Sequence, residues 1–214
     1  MNAHSYRPPP QEQQRVIFVD DALIVVDKPS GLLSVPGRGP DKAACAQSYV
    51  QEQFGEALTI HRLDMDTSGI LIFARTKSAQ SFLSKQFELR RVEKRYEAIA
   101  QGIPQTRTGT IDFPIAKYSK NRPLRHIEAG GLEAITHWEI ISQTPTTSRL
   151  KLRPETGRSH QLRLHLSAAG YPILGDPLYG MENSAHRLLL HAENLSIAHP
   201  EKLKTLSFDA RPAF

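Results

Sequence analysis

The stretch "HRLDMDTSGILIFA" (His61–Ala74) decides how this chain is read. Its first nine residues bring together a histidine, an arginine, two carboxylates and two hydroxyls. The five that follow, Ile70–Ala74, are all apolar. A charged loop running straight into a strand that reads as buried puts chemistry-bearing side chains on a rigid support. Thr67, Ser68 and Gly69 are also turn formers, so an ordinary Asx-type turn with solvated charges fits the same letters, and spacing alone does not divide the two readings.

Upstream, "RVIFVDDALIVVDKPSG" (Arg15–Gly31) reads as two short strands joined at Asp20-Asp21 and stopped by Lys28-Pro29-Ser30-Gly31. "LLSVPGRGP" reads as a loop, and "AACAQSYVQEQFG" as a helix ending at Gly55. Downstream, "TKSAQSFLSKQFELRR" is an amphipathic helix with Ala79, Phe82, Leu83 and Phe87 on one face. "RYEAIA", "THWEII" and "SRLKLRP" are strand candidates, "SHQLRLHLSAAG" a helix closed by Gly170, and "RLLLHAENLSIAHP" one or two late strands. Helices and strands mix without a βαβ repeat, which predicts an α+β fold with a mainly antiparallel sheet. Residues 1–14, with three consecutive prolines, predict a mobile tail, and residues 15–214 a single domain.

The chain has 214 residues, 39% hydrophobic and 23% charged, ordinary for a globular protein. No apolar run reaches the roughly 20 residues a membrane span needs, and the N-terminus lacks a secretory pattern, so a cytoplasmic protein with no membrane partner is expected. One cysteine, Cys45, excludes an intrachain disulfide. The net charge of +5 is clustered: Lys85, Arg90, Arg91, Lys94 and Arg95; then Lys117, Lys120, Arg122, Arg125 and His126; then Arg149, Lys151, Arg153, Arg158 and Arg163. Such clusters suit a polyanion, or a merely solvated face.

Arg163 sits among Leu162, Leu164 and Leu166, so it must either snorkel to solvent or meet a buried acid. A guanidinium beside an aspartate favours the ionised carboxylate, which suits a base or nucleophile. Tyr96 in "EKRYEAIA" is an ordinary strand residue or a stacking platform for a base. The nine histidines form no HExxH, and His160 and His165 stand five apart, off one helical face, so no metal is expected. There is no G-x-S-x-G, no GxxxxGK[ST] and no G-x-G-x-x-G.

"HRLDMDTSG", "EKRYEAIA" and "ETGRSHQLRLHLSAAGYPILGD" together resemble the RluA-type pseudouridine synthases, and "DKPSGLLSVPG" and "RLLLHAE" extend the resemblance over about residues 16–212. The pattern begins near Arg15, leaving no room for the N-terminal S4-type domain of many relatives. The likeness is to the compact, dual-specificity rRNA/tRNA members.

The resemblance implies a pseudouridine-synthase-like fold with an active-site cleft across the sheet. It also implies a cofactor-free isomerase acting on structured RNA, 23S rRNA and/or a tRNA anticodon stem-loop, as a monomer with no obligate protein partner. Asp64 would be catalytic and Asp66 a bystander. Arg163 would pair with Asp64, and Tyr96 would stack on the flipped uracil and serve in proton transfer at C5. Arg62 would fill the place the base left, His61 would hold the RNA backbone, and Leu188 or Leu190 would wall the uracil pocket. Arg122, Arg125, Arg158 and His160 are expected on the RNA side. A non-catalytic RNA-binding or RNA-folding protein on the same scaffold is the alternative, and a hydrolase a distant third.

Overall fold

The computed structural model describes residues 6–117, 123–202 and 204–214. Among them are the strands β1 (Arg15–Val19), β2 (Leu23–Lys28), β3 (Leu58–Thr59), β4 (Ser68–Ala74), β5 (Glu93–Gln101), β6 (Thr108–Ile111), β7 (Thr136–Gln143), β8 (Thr147–Pro154), β9 (Leu190–Ala198) and β10 (Thr205–Asp209). The helices are α1 (Ala46–Phe54), α2 (Lys77–Glu88) and α3 (Gln161–Ala168). The chain groups into two compact units, one running to Glu93 and resuming over Ala192–Ala213, the other Lys94–His191 with Phe214.

In the first unit the strand order is β1-β2-β4-β9, with β3 also on β4 and β10 on β9. β1/β2, β2/β4, β3/β4 and β9/β10 are antiparallel. All seven residues of β4 are buried. One set of alternating side chains, Leu23, Val25, Ile70, Ile72, Leu195 and Ile197, packs with Ala79 and Leu83 of α2. Each buried aliphatic side chain contributes about 2 kcal/mol here, the main term holding the unit together. The amphipathic face read for α2 is therefore the one it buries, and Thr76 caps the helix through Ala79 N–H. Gln86 is buried with that face as well. Its amide accepts from Ala198 N–H and donates to Ala198 C=O, both at 3.0 Å, so a polar residue docks the helix on β9.

The second unit orders its strands β5-β8-β7-β6, each pair antiparallel. Its core joins Ala98, Ala100, Leu150 and Leu152 to Leu162 and Leu166 of α3 and to Leu188, Leu189 and Leu190.

Three local expectations change. Ser68 and Gly69 are the first residues of β4 rather than turn residues, and the turn falls one step earlier, where Thr67 N–H donates to Asp64 C=O. Gly69 has φ +112, and a Cβ there would lie 2.4 Å from Ala192 O, so close approach of β9 is what requires glycine. β3, β6 and β10 were not foreseen, being short or broken by polar residues. The tail read as mobile over residues 1–14 is tied down from Tyr6 onward. The Tyr6 hydroxyl donates to Ala44 C=O and accepts from Leu33 N–H, while Tyr49 donates to Pro9 C=O. Polar groups so far apart in sequence leave no local signal of pairing.

Candidate active site

The loop from His61 to Thr67 is held by the "DKPSGLLS" segment, which begins with the last two residues of β2. Ser34 Oγ donates to Leu63 C=O at 2.7 Å and accepts from Leu63 N–H at 3.1 Å, fixing both backbone groups of the residue before Asp64. On the other side, Met65 C=O accepts from Lys28 Nζ at 2.9 Å and from Gly31 N–H at 3.0 Å. Ser30 Oγ donates to Asp66 C=O at 2.6 Å. Asp64, half-buried, is thus bracketed by locked peptide groups at Leu63 and Met65.

Lys28 is fully buried, which is costly for an ammonium unless its donors are used. They reach Pro29, Leu32 and Met65 carbonyls at 2.7–2.9 Å. Sequence reasoning missed the roles of Lys28 and Ser34. Membership of the segment "DKPSGLLSVPG" gave no hint of this clamping task.

His61 Nε2 accepts from Ile72 N–H at 3.1 Å, and its ring stacks on Phe87 at 4.6 Å, joining loop, β4 and α2. The ring thus has a structural task that the sequence did not announce. Arg62 is exposed.

Tyr96 and Arg163 belong to the second unit. Tyr96 lies half-buried on β5 opposite Leu152. Arg163, only 2% exposed, does meet a buried acid, and that acid includes Asp176, which the sequence reading passed over. Its Nε donates to Asp176 Oδ2 at 2.9 Å and its Nη2 to Asp176 Oδ1 at 2.7 Å, a bidentate pair. Burial alone would raise the Asp176 pKa, but the hydrogen bonds and charge of Arg163, with the Leu178 and Tyr179 N–H groups, bring it below the ordinary carboxylate value. Gly175 makes the turn possible: at φ +70, a Cβ would fall 1.9 Å from Arg187 O.

The start of α3 is set by a buried polar network. The Gln161 amide accepts from Thr156 Oγ1 and Arg158 N–H and donates to Ile135 C=O and Thr136 Oγ1. Thr136 Oγ1 also bonds His165 Nδ1 at 3.0 Å, and His165 Nε2 bonds Phe113 C=O at 2.9 Å. Burial lowers the His165 pKa, so the ring is neutral and donates from Nε2. Arg158 Nε donates to Glu133 C=O at 2.9 Å. His160 Nδ1 and Arg125 N–H both reach the Tyr179 hydroxyl. Arg122 lies outside the described residues. Leu188 and Leu190 are both buried, so burial does not choose between them. Among the described residues, no group of three or more His, Cys, Asp or Glu could hold a metal ion, and no helix is long and apolar enough to cross a membrane.

A largely antiparallel sheet with few helices is the fold of the solved RNA pseudouridylate synthases that this chain resembles. The sequence model described as RNA pseudouridylate synthase matches residues 22–168, and the chain belongs to that family: it is an RNA pseudouridine synthase. It is similar to the dual-specificity RNA pseudouridine synthase RluA of Haemophilus influenzae, 44% identical with 98% of each chain covered. The enzyme of the same name from Escherichia coli K12 is 40% identical with 100% of each covered. Among solved structures, human RNA pseudouridylate synthase domain containing 1 superposes with a TM-score of 0.81 at 28% identity, covering 97% of this chain and 87% of that one.

Proposed function

We propose that this chain isomerises uridine to pseudouridine in structured loops of two RNA kinds, a 23S rRNA loop and a tRNA anticodon stem-loop. The dual-specificity relatives, similar along the whole chain, support the pair of substrates. In this reading Asp64 is the catalytic carboxylate. The observation that carries it is the clamp on its neighbours: Ser34 on Leu63, Lys28 and Gly31 on Met65. A group that acts on a reacting sugar must be held within about 0.5 Å of its working position, and a loop alone does not achieve that.

A uracil inside a stem is unreachable, so the nucleotide flips out at a cost of a few kcal/mol, least in a loop. Arg62, exposed beside Asp64, fills the vacated stack, and Tyr96 stacks on the extruded uracil and serves in proton transfer at C5. Cleavage of the C1′–N1 bond builds positive charge on the sugar, which the Asp64 carboxylate offsets, removing the C2′ proton on the way to a glycal. The uracil turns and rejoins through C5. Arg163, its guanidinium held by Asp176, is the third catalytic residue of this reading. His61, Arg125, Arg158 and His160 hold the RNA, with Arg122 beside them in sequence. The two units serve as a single catalytic domain, a monomer that acts on RNA in the cytoplasm without a protein partner.

The test is tritium release from transcripts labelled at uridine C5, using the anticodon stem-loop and the rRNA fragment side by side. Wild type should release label from both. Asp64→Asn should release none while binding RNA with a Kd within about threefold, because the amide keeps the shape and loses only the base. Wild-type rates in that variant would remove Asp64 from the chemistry, and release from one RNA alone would overturn the dual specificity.

A further inference from the structure

Tyr179, in "GDPLYG", is given no role by the chemistry above, yet its side chain meets three residues that the proposed function uses: Arg125, His160 and Arg163. Its ring lies 5.5 Å from the Arg163 guanidinium carbon, a cation–π contact. Its N–H donates to Asp176 Oδ1 at 3.1 Å, and its C=O accepts from Ser167 Oγ at 2.7 Å, so the backbone is pinned to the arginine's partner and to α3. Its hydroxyl accepts from Arg125 N–H at 2.7 Å and lies 2.9 Å from His160 Nδ1. The His160 and Tyr179 rings meet edge to face at 5.6 Å.

His160 has φ +58, a left-handed conformation that non-glycine residues rarely adopt, and it stands immediately before α3. Such a residue persists where its surroundings hold it, and the hydroxyl of Tyr179 is a holder. The Tyr179 hydroxyl accepts a hydrogen bond from Arg125 N–H, and its own hydrogen is then available to His160 Nδ1 in the tautomer that leaves that nitrogen an acceptor.

We propose that Tyr179 is a positioning residue with two separable tasks. Its hydroxyl fixes the Arg125 backbone and the His160 ring for RNA capture, and its ring supports Arg163 for turnover. This rests on the proposed function, in which Arg125 and His160 face RNA and Arg163 is a catalytic residue. Without the hydroxyl both segments must order when RNA binds, which weakens binding. Without the ring the guanidinium loses one wall.

The two tasks divide between two substitutions. Tyr179→Phe keeps the ring and the backbone contacts and removes the hydroxyl with its bonds to Arg125 and His160. KM for the anticodon stem-loop should rise about tenfold, as two ordinary hydrogen bonds imply, with kcat within about twofold. Amide exchange at Arg125 should accelerate in the same variant. Tyr179→Leu should show that rise in KM and a fall in kcat of about tenfold besides. An unchanged KM in Tyr179→Phe overturns the inference, as does a kcat that falls in step with KM, the mark of general loosening. Failure of Tyr179→Phe to fold overturns it too, since the tyrosine would then be a stability residue. Wild type inactive on both RNAs would overturn the substrate reading itself, separately from any Tyr179 result.

Discussion

Asp176→Ala tests the buried pair at the centre of the second unit. The Arg163 and Asp176 side chains are 2% and 0% exposed, joined by bonds of 2.9 and 2.7 Å. Deleting the acid removes the carboxylate that takes two of the guanidinium donors and leaves that charge desolvated. Breaking such a pair from one side costs about 3–5 kcal/mol. At roughly 2–4 °C per kcal/mol for a chain of this size, Tm should fall by roughly 6–20 °C in a thermal melt. Isomerisation should fall with it, because Arg163 loses the partner that fixes its rotamer. The double variant Arg163→Met/Asp176→Leu separates the two effects. It fills the space with apolar groups and removes both charges, so its stability should return to within about 2 kcal/mol of wild type while the rate stays low. A loss under about 1 kcal/mol in Asp176→Ala, or a double variant as unstable as the single one, would refute the reasoning.

The remaining expectations concern the first unit and the acid limb of stability. Ser34→Ala leaves Leu63 N–H and C=O without their bridging hydroxyl; kcat should drop about tenfold with KM nearly unchanged, and a pure KM effect would place Ser34 in binding instead. Gly69→Ala must hold φ +112 with its Cβ 2.4 Å from Ala192 O, so urea unfolding should show a loss of about 3 kcal/mol or more, and a neutral result would mean β9 can retreat. Burial alone would raise the Asp20 pKa from 3.8, but Ala22 N–H, His199, Leu23 N–H and Lys202 together lower it to about 2, a contribution of about 2 kcal/mol at neutral pH. Asp20 and His165 both bind fewer protons folded than unfolded in acid, so stability is full at neutral pH. It should fall first below the ordinary histidine value of 6.5, and again between 3.8 and about 2. Asp20→Asn should shrink the second step in a pH series of denaturant midpoints, leaving the share of Asp176, whose pKa is lowered too, and a step of unchanged size would remove Asp20 from it.

Much of the frame was legible from residue pattern. Continuous or alternating apolar runs marked β2, β4 and β8, and the i, i+3, i+4 spacing of Ala79, Phe82 and Leu83 marked the buried face of α2. Those signals are local, because a side chain's direction in a strand or helix follows from its neighbours along the chain. Asp64 was put forward differently, by the family resemblance that "HRLDMDTSG" carries, since spacing alone did not separate it from Asp66. What failed was local in appearance only: Ser68 and Gly69 look like turn formers, yet β4 takes them because β2 and β9 lie alongside.

The sequence by itself determined the α+β class, the helix faces, the charged loop before a buried strand and the family. These rest on periodicity and on contiguous letters. Only the tertiary structure decided what holds that loop and that arginine. Ser34 reaches Leu63 across 29 positions, Lys28 reaches Met65 across 37, Tyr179 reaches Arg125 across 54, and Asp176 was one unremarked acid among 22 acidic residues. A hydrogen bond between distant residues has no period and no spacing, so it becomes readable only when folding has brought donor and acceptor to within 3 Å of each other.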